Sequence, residues 1–368
     1  MEYGFFEAPK GEIKKYKKTA LSASDWRNGI IVRSPNWLGD IVMALPAMYS
    51  LKKLLPENCG FFAAVPSAYI PLFESIPWVD SIIPLGTGHS KWTKEQIETV
   101  KKLRPGIGFL FVNSLKSAYY FKKAGVKKLF GASNGIRNLL LAKHYKVEWH
   151  TKEKYGLTHQ AYKYLAMVNG LGAPEWDKEF PNFNLLKDSE INVPEIRELK
   201  KYKNILTVHP GAAYGPAKRW SPDNFKEICN YWINNKNGKV VILGLNNEAD
   251  TANEVVKDLP ENSVINLVGK TTLSELMYVL KSSLLCLCND SGTMHLAGAL
   301  NVNGIALFGS TDPYSTGPFG KRWIVMLEEQ NCSPCFSRIC KNSPKDYRCL
   351  KSITPKSVCK AIDILLEK

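Results

Sequence analysis

The sequence predicts an α/β protein made of two doubly wound, Rossmann-like domains facing a central cleft. Three observations lead to this reading. Short β-branched and aromatic runs recur at intervals that leave room for a helix between them. Several of those intervals carry apolar residues at helical spacing. The runs also fall into two sets, parted by a polar, Pro-containing stretch at 187–203, and 368 residues suffice for two domains of roughly 150 each.

The first set of runs is 30–32, 61–65, 81–83, 107–112 and 127–130. The second is 205–208, 240–243, 264–268, 284–288, 305–308 and 324–327. Strands that alternate with helices argue for parallel sheets covered on both faces. A helix is expected after Pro222, where Phe225, Ile228, Tyr231 and Trp232 share one face. Another follows Thr272, whose capping box with Glu275 precedes Leu276, Val279 and Leu280. The expected divisions are a basic extension at 1–28, an N-terminal domain at 29–190, a C-terminal domain at 191–350 and a closing segment at 351–368.

Composition narrows the partners. Hydrophobic residues make up 45% and charged residues 23%, which excludes wholesale disorder. Lys and Arg number 49 against 34 Asp and Glu, a net charge of +15 that calls for an anionic partner: phosphate, nucleic acid or an acidic membrane face. The start lacks the apolar core of a signal peptide, and no run approaches the ~20 apolar residues of a membrane span. A cytosolic location with reduced thiols is therefore expected. Nine cysteines, an odd count, argue against a fully paired disulfide framework. Cys59, Cys229, Cys286, Cys288 and Cys359 read as small buried hydrophobes.

Ligands of open α/β sheets bind at the carboxyl ends of strands, so the turns after the runs are the places to look. The first, RSPNWLGDIVMALPAM, brings Gly39 for close backbone approach and sets Asp40 at the start of a helix. Asp40 reads either as a functional carboxylate or as a plain N-cap. The turn lacks the G-x-G-x-x-G spacing of a dinucleotide site, which argues against a dehydrogenase. HPGAAYGPAKRW, at 209–220, combines a pliable backbone at Gly211 and Gly215 with fixed charge on Lys218 and Arg219, which suits a phosphate-bearing ligand. The alternative is a surface loop with solvated cations.

The third turn lies in LLCLCNDSGTMHLAGAL. A buried strand ends at Cys288, and Asn289-Asp290-Ser291-Gly292-Thr293 opens a helix whose free N–H groups form a ready anion site. The competing reading makes Asp290 or Ser291 a plain cap and His295 a packed helix residue. Glu248, after Leu243-Gly244, is placed to accept hydrogen bonds from ribose hydroxyls, or is simply solvated. GKTTL at 269–273 imitates the tail of a Walker A loop, but Val264 stands where its first Gly belongs, so that reading fails. Cys332, Cys335, Cys340 and Cys349 cluster in NCSPCFSRICKNSPKDYRC. One C-x2-C pair with two further cysteines permits a structural zinc; unligated thiols or a redox-labile pair are the alternatives. No catalytic metal is expected there.

Taken together, PNWLGDIVMALPAM, VNSLKSAYYFKKAGVKKLFG, HPGAAYGPAKRW, NDSGTMHLAGAL and ALFGSTDPYSTGP resemble the ADP-heptose:lipopolysaccharide heptosyltransferases, most closely the heptosyltransferase II branch of glycosyltransferase family 9. The segments lie in order over about residues 30 to 320, and the ordered set is far more specific than any one motif. The resemblance implies a GT-B architecture with the last helix packing back toward the N-terminal domain. It also implies inverting transfer of heptose from ADP-heptose to the lipopolysaccharide inner core, with no cofactor and no catalytic metal.

By resemblance, Asp40 matches the catalytic base and Lys218 the phosphate-binding lysine. Tyr214, Glu248, Asp290, Ser291, Gly292, Thr293 and His295 fall with Lys218 on the donor side. The acceptor side is expected at Asn113, Ser114 and Lys116, with Lys122, Lys123, Lys127 and Lys128 nearby, where cations suit the acidic sugars and phosphates of a lipid A-linked inner-core oligosaccharide. The same positive surplus suits peripheral binding to the anionic cytoplasmic face of the inner membrane. The basic start at 1–28 departs from the branch, whose first strand lies near the N-terminus. A donor other than ADP-heptose is the enzymatic alternative. Nucleic-acid binding rests on charge alone; because many aromatics fall in strands and amphipathic helices, no nucleic acid is expected.

Overall fold

The computed structural model describes residues 4–11, 14–86, 91–149, 158–320, 322–342 and 346–367. The chain divides into two compact units, one of Lys10–His150 and Gln160–Asn184, the other of Met1–Pro9, Thr151–His159 and Leu185–Lys368.

The N-terminal unit is built on a parallel six-stranded sheet of β1 (Gly29–Arg33), β2 (Gly60–Pro66), β3 (Ser81–Leu85), β4 (Ile107–Leu110), β5 (Lys128–Ala132) and β6 (Lys143–Tyr145), in the order β3-β2-β1-β4-β5-β6. Every residue of β1 is buried, as its unbroken apolar run requires. Its helices include α1 (Leu38–Leu54), α2 (Lys94–Leu103), α3 (Leu115–Lys123) and α4 (Gln160–Leu171). Ile41 to Met48 of α1 are all buried, and α1 packs against α4. A helix that is apolar all round can be stable only when covered on every side.

The C-terminal unit repeats the plan with β7 (Ile205–His209), β8 (Lys239–Ile242), β9 (Val264–Asn266), β10 (Leu285–Asn289), β11 (Asn303–Phe308) and β12 (Trp323–Leu327), again all parallel, in the order β12-β11-β10-β7-β8-β9. Around it lie α5 (Pro222–Lys236), α6 (Ala249–Val256), α7 (Leu273–Lys281), α8 (Gly292–Ala299) and α9 (Pro355–Glu367). Phe225, Ile228 and Trp232 of α5 enter the core as their spacing requires. The capping box of α7 forms: Glu275 N–H donates to Thr272 Oγ1 at 3.2 Å, and Thr272 N–H to Glu275 Oε2 at 2.9 Å. GKTTL is thus a turn, with Gly269 at φ +71°, leading into a helix cap.

Each of the eleven expected runs overlaps a strand, and β6 is the strand that periodicity misses. Lys-His-Tyr is too short and too polar to read as one; only Tyr145 is buried. The last helix commits its apolar stripe of Val358, Ala361, Ile362 and Leu365 to the C-terminal core, against α5 and β11. At about 1.5–3 kcal/mol for each of Val358, Ile362 and Leu365, that burial secures the helix there.

Within the described part of the first 28 residues, Phe6 N–H donates to Trp323 O at 2.6 Å in one unit, and Thr19 N–H to Gly170 O at 3.0 Å in the other. Trp26 is buried. Among the described residues, no helix is long and apolar enough to cross a membrane.

Candidate active site

In the C-terminal unit the candidate residues gather at the carboxyl ends of β7, β8, β10 and β11, as strand order places them. Lys218 Nζ lies 2.5 Å from Asp290 Oδ2, and Thr311 Oγ1 donates to the same oxygen at 2.6 Å. Asp290 and Thr311 are buried. A lysine has three donors, so the pairing fixes the ammonium while leaving capacity for a phosphate. The loop that carries Lys218 is tied to the sheet by the fully buried Asn289. Its Nδ2 donates to Pro210 O at 2.7 Å, and its Oδ1 accepts from Trp220 N–H at 3.1 Å.

Beside this charged group stands a second cluster. His209, the last residue of β7, places Nδ1 3.2 Å from Ser291 Oγ and Nε2 3.4 Å from Glu248 Oε2. Glu248 is 5% exposed and also accepts from Leu245 N–H at 2.8 Å, so it is not a solvated loop residue. Burial pushes its carboxyl upward; bonding and charge from His209, the Leu245 N–H and Arg219 outweigh this and hold it below the usual range. Gly211 makes the arrangement possible, because a Cβ there would lie 2.0 Å from Glu248 Oε1.

Ser291 is the N-cap of α8 by position, yet its side chain makes no capping bond, being turned to His209. The first-turn amides at Gly292 and Thr293 therefore suit an anion. His295 is buried, and its Nδ1 has no hydrogen-bond partner among the described residues. Burial pushes its pKa down to about 4; the charge of Asp290 opposes this and that of Lys218 adds to it. The ring is thus neutral near pH 7. A buried, unpartnered nitrogen at an anion site marks a place for a ligand contact.

Tyr214 lies under two cations, Lys218 Nζ at 4.8 Å and Arg338 Cζ at 5.3 Å from its ring centre. Its hydroxyl donates to Phe336 O at 2.6 Å, and Ala217 N–H to Arg338 O at 3.1 Å. The cysteine-rich loop thus supports the Lys218 loop through backbone carbonyls. All nine cysteines are free, and among the described residues no three His, Cys, Asp or Glu side chains are grouped to hold a metal ion. Burial, and the neighbouring Cys335, Cys332 and Cys340, raise the pKa of Cys349.

In the N-terminal unit, Asp40 lies in the first turn of α1 and is half-buried. Trp37 is the N-cap, so Asp40 is not the cap. Gln160 Nε2 donates to Asp40 Oδ1 at 2.8 Å and to Tyr164 OH at 2.9 Å. The Asp40 charge reaches both Tyr164 and Tyr69, whose hydroxyl pKa values are raised, by burial first and by Asp40 as well. The expected acceptor residues are more committed. Ser114 caps α3, accepting from Ser117 N–H at 3.1 Å, and the Asn113 carbonyl accepts from Asn134 Nδ2 at 2.8 Å. Lys116 is half-buried.

Sequence reading passes over His209, Thr311, Gln160 and Arg33. Arg33 ends β1 with 5% exposure, and Nη2 donates to Asn36 Oδ1 at 2.6 Å. Burial lowers its pKa to about 10, leaving it a cation near pH 7.

A doubly wound unit with a fixed lysine, uncapped helix amides and a buried glutamate at its strand ends is the framework of a nucleotide-sugar-type transferase. The comparisons narrow the class: residues 99–346 match the model of glycosyltransferase family 9 (heptosyltransferase), and the chain belongs to that family. It is 28% identical to the lipooligosaccharide heptosyltransferase 2 of Campylobacter jejuni over 338 residues, 90% of this chain and 98% of the relative. The solved ADP-heptose lps heptosyltransferase II of E. coli superposes with a TM-score of 0.72 at 23% identity, covering 92% of this chain and 98% of that one. A family 9 glycosyltransferase from Veillonella parvula gives 0.75 at 20% identity, covering 97% and 99%. Likeness of this extent shows the GT-B fold.

Proposed function

We propose that this glycosyltransferase moves heptose from ADP-heptose to a lipid A-linked inner-core oligosaccharide of lipopolysaccharide, with inversion, as in the heptosyltransferase II branch. The observation that carries the reading is the set of half-buried Lys218 with buried Asp290 and Thr311 beside the uncapped start of α8. As the sugar bond breaks, charge grows on the leaving diphosphate. A cation at ~4 Å contributes about 4 kcal/mol at an effective dielectric of ~20, before desolvation, against about 0.3–2 kcal/mol for a helix N-terminus. Lys218 therefore does most to stabilise the leaving group, helped by the amides of Gly292 and Thr293 and by neutral His295. No step calls on a metal ion or cofactor.

Glu248, held ionised by His209, accepts the ribose hydroxyls. Asp40 takes the proton from the acceptor hydroxyl while its oxygen attacks the anomeric carbon and ADP departs from the opposite face. General-base assistance of this kind is typically worth ~10²–10⁴-fold. Lys116 meets the acidic groups of the acceptor. The enzyme works at the cytoplasmic side of the inner membrane, peripherally bound to its anionic surface. Incubation with ADP-heptose and truncated lipopolysaccharide acceptors tests the reading. A mass gain of one heptose is expected; no gain, or an equal gain from other nucleotide sugars, overturns it.

A further inference from the structure

Between Glu98 and Glu148 the chain has eleven Lys or Arg and no Asp or Glu. Within this stretch the 3-10 turn Gly135–Leu140 is built inside out. Its arginine points inward: Arg137 is 1% exposed and donates from Nη1 to Ala132 O at 2.9 Å. Gly131 leaves the room, since a Cβ there would lie 2.6 Å from Arg137 Nη2. Asn138 holds the turn's entry, with Oδ1 accepting from Asn134 N–H and Nδ2 donating to Ser133 Oγ, both at 2.9 Å. Two of its three aliphatic residues point outward, while Leu140 packs against the core. Leu139 is 83% and Ile136 68% exposed, the most exposed large apolar side chains among the described residues.

The turn packs against α3, whose exposed stripe runs Leu115, Tyr119, Lys123 at helical spacing. Lys127 and Lys146 are exposed in the same unit, whereas Lys128 is paired with Asp25 at 2.7 Å. Rigidly held aliphatic residues within an acid-free, lysine-rich stretch suit a surface that is apolar just below and anionic at its rim. We propose that the turn Gly135–Leu140 and the exposed stripe of α3 seat the N-terminal unit on an anionic lipid bilayer. Ile136 and Leu139 enter the headgroup boundary, and the lysines meet the lipid phosphates. The inference deepens the peripheral role proposed above and rests on that reading.

The test is cosedimentation of the full chain with vesicles of phosphatidylethanolamine and phosphatidylglycerol, against phosphatidylcholine alone. Wild type is expected to prefer the anionic vesicles, with binding weakened by salt. The Ile136→Ser/Leu139→Ser double variant should partition at least about tenfold less, the equivalent of about 1.4 kcal/mol. It should keep wild-type turnover on a delipidated, water-soluble acceptor. As an independent probe, the Leu139→Trp variant should show a blue-shifted indole emission on anionic vesicles only. Equal partitioning of wild type and double variant, or no emission shift in the Leu139→Trp variant, overturns the proposal. So does a concentration-dependent dimer that the double variant abolishes, which would assign the surface to a second copy of the chain. Vesicle binding through the turn without heptosyl transfer would leave the surface standing and remove the reaction; transfer without such binding would do the reverse.

Discussion

Two aspartates at the ends of central strands are held in different ways. Asp290, after β10, is buried against an ammonium and a hydroxyl. Asp40, after β1, is half-buried and receives the neutral amide of Gln160 beside two tyrosines. The first carboxylate positions Lys218. The second is oriented by the Gln160 amide. In the proposed reaction, donor recognition rests on charge assembled before the ligand arrives, and base chemistry on a carboxylate from the other sheet.

The largest effect should come from Asp40→Asn, which removes the base without changing size. Turnover is expected to fall about 10²–10⁴-fold, with the thermal midpoint unchanged; a rate within about threefold of wild type would remove Asp40 from the chemistry. Lys218→Met should cost about 10²–10³ in kcat, the usual loss of one preorganised donor. It should also lower stability by about 3–5 kcal/mol, because Asp290 is left buried without its ion partner. Urea titration separates the two effects, and loss of activity with unchanged stability would show that the pair is not structurally coupled.

His295 makes the contrast visible in pH. Its folded pKa of about 4 lies below the ordinary value of 6.5. The unfolded chain therefore binds the proton first, and stability falls as pH drops from about 6.5 toward 4, by about 3 kcal/mol in all. His295→Gln should flatten that part of the profile; an unchanged profile would place the titration elsewhere. The smallest effect is expected at Gln160→Leu, where loss of one hydrogen bond to a charged group should lower kcat about tenfold with little change in donor KM. A change confined to KM would assign Gln160 to binding instead of to orienting Asp40.

Much of this is legible in the residues. Short β-branched and aromatic runs mark every strand but β6, whose Lys-His-Tyr has neither length nor apolar pattern. The turns that carry Asp40, Lys218 and Asp290 can be found because strand ends are where ligands bind in such sheets. The pairings cannot. His209 meets Glu248 and Ser291, and Thr311 meets Asp290, because β10 lies between β7 and β11, with β8 beyond β7. That is a property of strand order, to which local spacing is blind. Glu248 looks like a loop residue for the same reason, since the histidine and glycine that enclose it come from a different strand end. Ser114 and Asn113 show a second use of such positions: polar residues at a strand end that also serve the local fold.

The central claim divides the chemistry between donor-holding charge and a separate base, and ADP affinity measured by calorimetry on Lys218→Met and Asp40→Asn tests it most directly. The account predicts that Lys218→Met weakens ADP binding about a hundredfold while Asp40→Asn leaves it within about twofold of wild type. Equal affinity in both variants, or equal loss in both, would contradict it.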